Sequence, residues 1–127
     1  MLSGLHHVAI ICCDYEKSKH FYTEVLGLKV LAENYRAQRD SYKLDLQLPD
    51  GSQIELFSFK GAPKRPSYPE ARGLRHLAFA LEDIDAFIEH LAGYGIETEP
   101  VRVDEYTGKK YTFFSDPDEL PLELYQR

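Results

Sequence analysis

The sequence predicts an α+β fold built from two tandem copies of one strand–helix–strand–strand–strand (βαβββ) unit, and three observations predict it. First, Gly4-Leu5-His6-His7-Val8-Ala9-Ile10 is echoed by Gly73-Leu74-Arg75-His76-Leu77-Ala78-Phe79. Second, an aspartate follows each histidine by the same step of seven residues: Asp14 after His7, Asp83 after His76. Third, Ile54-Glu55-Leu56-Phe57 is matched by Leu122-Glu123-Leu124-Tyr125, Glu55 lying 48 residues after His7 and Glu123 47 after His76. Such self-similarity marks two copies of one structural unit. The first is expected over about 4–60 and the second over about 73–127, within a single domain spanning 1–127.

Each element has a local reason. Leu5 to Cys13 is apolar enough for a strand buried on both faces, carrying His7 into an apolar interior. Asp14 is placed to cap a helix, with Glu16 in the first turn where the dipole favours an anion. Phe21, Tyr22, Val25 and Leu26 recur at helical spacing, and Gly27 ends the helix. Leu28 to Tyr35 resumes as a strand, and Arg36 to Ser41 is polar enough for a loop. Tyr42 to Leu48 alternates strictly between apolar and polar, Pro49-Asp50-Gly51 is a turn, and Gln53 to Phe59 closes the unit as a strand.

Pro63, Pro66 and Pro69 make Gly61 to Gly73 an extended connection. The order then repeats. Leu74 to Leu81 is a strand, and Asp83 caps a helix whose stripe is Ile84, Phe87, Ile88 and Leu91. Gly93 and Gly95 end it. Strands follow near Glu97 to Val103, Lys110 to Phe114 and Leu122 to Tyr125, with Asp116-Pro117-Asp118 as the last turn.

Composition limits the function. The chain has 127 residues, 43% of them apolar, which is ordinary for a globular protein. Its formal charge is −6 with no basic run, so nucleic acid and anionic membranes are poor partners. The apolar runs are far short of a membrane span, and the start lacks a basic region followed by an apolar core, so the expected location is the cytoplasm. Cys12 and Cys13 are adjacent and on opposite strand faces, so they cannot form an ordinary bridge. They read as small buried hydrophobes, with Cys13 on the same face as His7.

The chemistry concentrates in the repeated residues. Each glutamate sits between two apolar neighbours, and a buried carboxylate is costly unless paired. Two histidines and two glutamates at matched positions can supply that pairing through a metal ion.

These motifs resemble the vicinal oxygen chelate superfamily, which includes glyoxalase I. The resemblance rests on His7-Val8-Ala9-Ile10 with Asp14, Phe21-Tyr22, Leu26-Gly27 and Ile54-Glu55-Leu56 in the first half. In the second it rests on His76-Leu77-Ala78 with Asp83, Asp116-Pro117-Asp118 and Leu122-Glu123-Leu124. Arg36 to Asp40, Arg65-Pro66-Ser67 and Thr112-Phe113-Phe114 bring the chain nearer to a small bacterial glyoxalase-like branch.

The resemblance implies curved mixed sheets around a metal site with open positions for a bidentate oxygen ligand. It puts the metal ligands at His7, Glu55, His76 and Glu123. His6 is the alternative to His7, which the step to Asp14 favours, and only one of the two neighbours should reach the metal. Such a nitrogen and oxygen set suits zinc, nickel, cobalt or manganese. The implied reaction runs through a metal-stabilised enediolate of a small 2-oxo or hemithioacetal substrate, with Glu123 as general base and Glu55 as the symmetric alternative. The nearest relatives imply a homodimer.

Two positions depart from glutathione-dependent glyoxalase I. An arginine four residues after the first ligand and an asparagine four after the second are replaced by Ile11 and Phe59, which puts glutathione dependence in doubt. Arg36, Arg39, Lys43, Lys64, Arg65 and Arg72 are the alternative receivers for a carboxylate or phosphate, and Tyr35, Tyr42, Tyr106 and Tyr111 are candidates to line a pocket. The competing readings are another enzyme of the superfamily, an acyl thioester epimerase or a dioxygenase, and a small-molecule binding or resistance protein. A dioxygenase usually takes two histidines and one carboxylate, so Glu55 counts against it.

Overall fold

A computed structural model describes all 127 residues. The chain divides into two compact units, Met1–Lys64 and Arg65–Arg127, each with one four-stranded mixed sheet, giving the expected α+β fold. No helix is long and apolar enough to cross a membrane.

The first unit runs β1 (His7–Cys12), α1 (Tyr15–His20), β2 (Lys29–Arg36), β3 (Ser41–Gln47) and β4 (Gln53–Ser58). The sheet order is β1-β4-β3-β2, with β1 and β4 parallel and the remaining pairs antiparallel. Alternation sets the faces. Ile10, Cys12, Leu44, Leu46, Ile54 and Leu56 are buried together with Phe21, Tyr22, Val25 and Leu28. Full burial of an aliphatic side chain stabilises by about 1.5–3 kcal/mol, so this face holds the unit together.

The expected burial of β1 on both faces does not occur. His7, Ala9 and Ile11 are exposed while Ile10 and Cys12 are buried, because α1 covers only one face of the sheet. Cys13 lies beyond the strand end and is exposed, not a buried hydrophobe. The Asp14 cap forms, its carboxylate accepting from the Lys17 N–H at 3.2 Å. After His20 the helix widens into a π-helical turn, Phe21–Val25, which Gly27 closes with φ of 76°. The widening leaves Leu26 half-buried while Leu28 is buried. Arg36 to Ser41 is not a loop throughout: Arg36 and Ser41 pair as the hairpin ends around a 3₁₀ turn, Ala37–Arg39.

The second unit runs β5 (Leu77–Leu81), α2 (Ile84–Gly93), β6 (Arg102–Val103), β7 (Lys110–Ser115) and β8 (Pro121–Gln126), in the order β5-β8-β7-β6. Asp83 caps α2 by accepting from the Ala86 N–H at 3.0 Å, and Ile84, Leu91, Phe114, Leu120, Leu122 and Leu124 are buried. Two strands are shorter than the sequence led us to expect. β5 starts at Leu77 because the Leu74 and Arg75 carbonyls accept from the Arg65 guanidinium instead of a ladder. The segment from Glu97 reaches strand form only at Arg102: Pro100 has no N–H, and the attachment to β7 is through Glu99 alone, to Phe113 and Thr112.

Candidate functional site

The face of the first sheet opposite α1 carries a polar constellation. In the parallel ladder Ala9 lies opposite Glu55, so His7, two residues earlier, shares a face with that carboxylate. His7 Nε2 is 3.4 Å from Glu55 Oε2, with the side chains 40% and 18% exposed. His6 is exposed and meets His7 through their Nδ1 atoms, 2.9 Å apart, so His7 is the histidine presented to Glu55. Beside Glu55 in the antiparallel ladder stands Asp45. Lys43 Nζ lies 2.8 Å from Asp45 and 3.9 Å from Glu55.

The second unit repeats the geometry. Ala78 lies opposite Glu123, two residues after His76. His76 Nε2 is 2.9 Å from Glu123 Oε2, and the exposures are 34% and 12%. The residue beside Glu123 is Phe113, whose ring meets the His76 imidazole edge-on at 5.1 Å. Arg102 covers Tyr111 and Phe113 at 5.2 and 5.7 Å and is held by Glu99 at 2.7 Å.

The structure therefore brings the four expected ligands together as two histidine–glutamate pairs, one within each unit. In neither unit do three or more His, Cys, Asp or Glu side chains gather as a closed metal site requires. Each pair supplies one imidazole nitrogen and one carboxylate oxygen, donors that a borderline divalent cation accepts. The small alanine opposite each glutamate lets the histidine two residues earlier reach the carboxylate.

The other candidates scatter. Tyr42 stacks on Tyr15, ring centroids 4.3 Å apart, on the α1 face, and Tyr35 packs against Tyr42. Tyr106 is exposed, and only Tyr111 shares a face with Glu123. Ile11 is exposed on the His7 face, and Phe59 lies beneath the Arg39 guanidinium. Arg65 is engaged with backbone carbonyls, and Lys64 and Arg72 are exposed. Asp45, Phe57, Phe113 and Tyr125 stand within strands and motifs of the sequence but were not among its candidate site residues. Strand parity with Glu55 and Glu123 is the signal that finds Phe57 and Tyr125, whereas Asp45 and Phe113 needed the cross-strand register.

A model of the glyoxalase/bleomycin resistance protein/dioxygenase superfamily matches residues 4–124. The chain is 57% identical over 127 residues to YwkD of Bacillus subtilis (strain 168), itself uncharacterized, covering 100% of this chain and 99% of the relative. The solved structure of the glyoxalase family protein from Enterococcus faecalis is similar with a TM-score of 0.89 at 55% identity, over 96% of each chain. More distant relatives differ in what they do. They include a probable lactoylglutathione lyase of Vibrio cholerae serotype O1 (29% identical, over 94% of this chain and 88% of that one). They also include the fosfomycin resistance protein FosX of Listeria innocua (26%, over 98% and 90%) and a 2-epi-5-epi-valiolone epimerase of Actinomyces sp (27%, over 95% and 78%).

Proposed function

The chain belongs to the glyoxalase/bleomycin resistance protein/dioxygenase superfamily, and from that membership we propose that it is a metal-dependent, glyoxalase-like enzyme acting on a small 2-oxo or hemithioacetal substrate. One observation carries the reading. Both units present a histidine and a glutamate in the same register, on the sheet face that the unit's own helix does not cover. Their donor chemistry fits a divalent cation such as zinc, nickel, cobalt or manganese. His7, Glu55, His76 and Glu123 are the residues that would hold it. Bound there, the ion would supply Lewis-acid polarisation of a substrate carbonyl.

Glu123 is the base of choice, taking the proton from the carbon next to that carbonyl on Oε2. Its only ion-pair partner is His76, whereas Glu55 is held by both His7 and Lys43. A carboxylate with one partner has one contact to release before it can reach substrate. Phe113 keeps that side of the pair apolar. Glu55 is the alternative base.

Glutathione is not the co-substrate in this reading. Ile11 and Phe59 offer no donor or acceptor, and each hydrogen bond left unmade by a buried polar group costs about 1–3 kcal/mol. We assign the protein to the cytoplasm as a homodimer that binds neither nucleic acid nor membrane; solution mass checks the dimer.

The test has two steps: metal analysis of the protein as purified, then methylglyoxal turnover with different thiols. The expected result is stoichiometric divalent metal with weak or no turnover of the glutathione adduct. Turnover of that adduct at ordinary enzyme rates restores plain glyoxalase I. A protein that takes up no divalent ion ends the metal reading.

A further inference from the structure

Arg36 is the last residue of β2, and its guanidinium carbon lies 5.1 Å from the centre of the Phe57 ring. Arg39, three residues on, sits at the same distance from Phe59. The two rings are stacked on each other, with centroids 5.9 Å apart and planes within 8°. Two cations thus rest on one apolar platform. Cation–π attraction holds a guanidinium by its flat face and leaves the N–H groups at its edge available.

One of these edge groups lacks a partner. Arg36 Nε is buried and has no hydrogen-bond partner. Buried donors without acceptors are unfavourable and rare in native structures, so this one marks a place for an acceptor. Other arginines of the chain are engaged: Arg65 with the Leu74 carbonyl, Arg75 with the Ser67 carbonyl, Arg102 with Glu99. Phe57 follows Glu55 by two residues on the same strand, which puts the platform on the face of the His7–Glu55 pair, about 7 Å along it. Lys43, opposite Phe57 in the ladder, adds a third cation to that face, although its Nζ is bound to Asp45.

We propose that Arg36 and Arg39, seated on Phe57 and Phe59, bind an oxyanion, the carboxylate or phosphate group of an acidic substrate. The planar fork of each guanidinium matches two oxygens of either group. This deepens the reading above and rests on it for the word substrate. The molecule turned over is a small acid whose charged group lies along β4 from Glu55. The anion supplies the acceptor that Arg36 Nε lacks.

The test is the arginine Nε–H spectrum of ¹⁵N-labelled protein, with metal content read on the same samples. The titrants are inorganic phosphate, then acetate, with neutral hydroxyacetone as the control. Saturable shifts of the Arg36 and Arg39 resonances, with Arg65 and Arg102 still, support the site, and the stronger anion names the group. Arg36→Lys keeps the charge and loses the fork, and it should weaken that anion about tenfold, one factor of ten in the dissociation constant. Silence of Arg36 and Arg39 toward both anions overturns the proposal, as does a uniform drift of every arginine. The wild-type titration decides even if the variant misfolds. Anion shifts in a protein that takes up no metal keep this site and remove the metal reading. Metal uptake with silent arginines does the reverse.

Discussion

Beside Glu55 the next strand offers Asp45, with Lys43 reaching both carboxylates; beside Glu123 it offers Phe113. Around these neighbours the two pairs are built alike. Each has alanine opposite glutamate in a parallel ladder and histidine two residues earlier. The pair next to the aromatic ring is the tighter, 2.9 Å against 3.4 Å, and the less exposed. Repetition thus sets where each histidine–glutamate pair stands, and the cross-strand neighbour sets what else touches its carboxylate. The first pair shares its carboxylate with a lysine, and the second does not.

The largest expected effect comes from deleting a donor on either side of this comparison. His7→Ala and His76→Ala should each lower metal affinity by more than the roughly 10–100-fold that loss of an outer partner costs. Mixing the two variants distinguishes shared from separate sites. Sites shared between chains recover one intact set in the mixed dimer, and sites closed within one chain recover none. Full metal retention in both single variants would sink the assignment of all four ligands.

A smaller effect should follow from making the first pair resemble the second. Lys43→Met removes a positive charge 3.9 Å from Glu55. Unit charges near 4 Å interact by about 1 kcal/mol in bulk water and by more near a protein surface. Metal affinity should therefore rise about fivefold, as measured by competition with a chelator. Unchanged or weaker binding would mean that Lys43 does not oppose the ion.

The smallest effect concerns how each unit holds its helix. In the first, Glu33 accepts from Lys19 at 2.8 Å and from the Tyr15 hydroxyl. Lys19, then Tyr15, holds the Glu33 carboxyl below its ordinary 4.5, and burial and the Glu33 contact push the Tyr15 hydroxyl up. In the second unit the helix has the looser Asp85–Lys110 pair at 3.3 Å. A lowered carboxyl pKa contributes stability that is present above the unfolded value and lost as pH falls through the folded one. Glu33→Gln should therefore cost less than about 1 kcal/mol at neutral pH, since the pair is partly exposed, and nothing in strong acid. Denaturant midpoints from pH 7 down to pH 3 test this. A difference that grows toward acid reverses the sign and discards the account.

The sequence by itself determined the repeat, the βαβββ order, both aspartate caps and the matched positions of the two histidines and two glutamates. All of these are local or periodic. A cap needs one carboxylate before a helix, a strand face needs alternation, and a repeated unit needs only to be written twice. It misjudged what depends on neighbours distant in the chain. Apolar content could not show that β1 is an edge strand with His7 exposed, since burial depends on what covers a face. Nor could it show that Arg65 takes the carbonyls that would have extended β5. Tertiary structure alone decided the register that puts Asp45 beside Glu55, Phe113 beside Glu123 and Arg36 over Phe57. A cross-strand neighbour is fixed by the hydrogen-bonded ladder and, for Arg36, by the bulge between Val30 and Ala32 as well, and neither leaves a trace in local spacing.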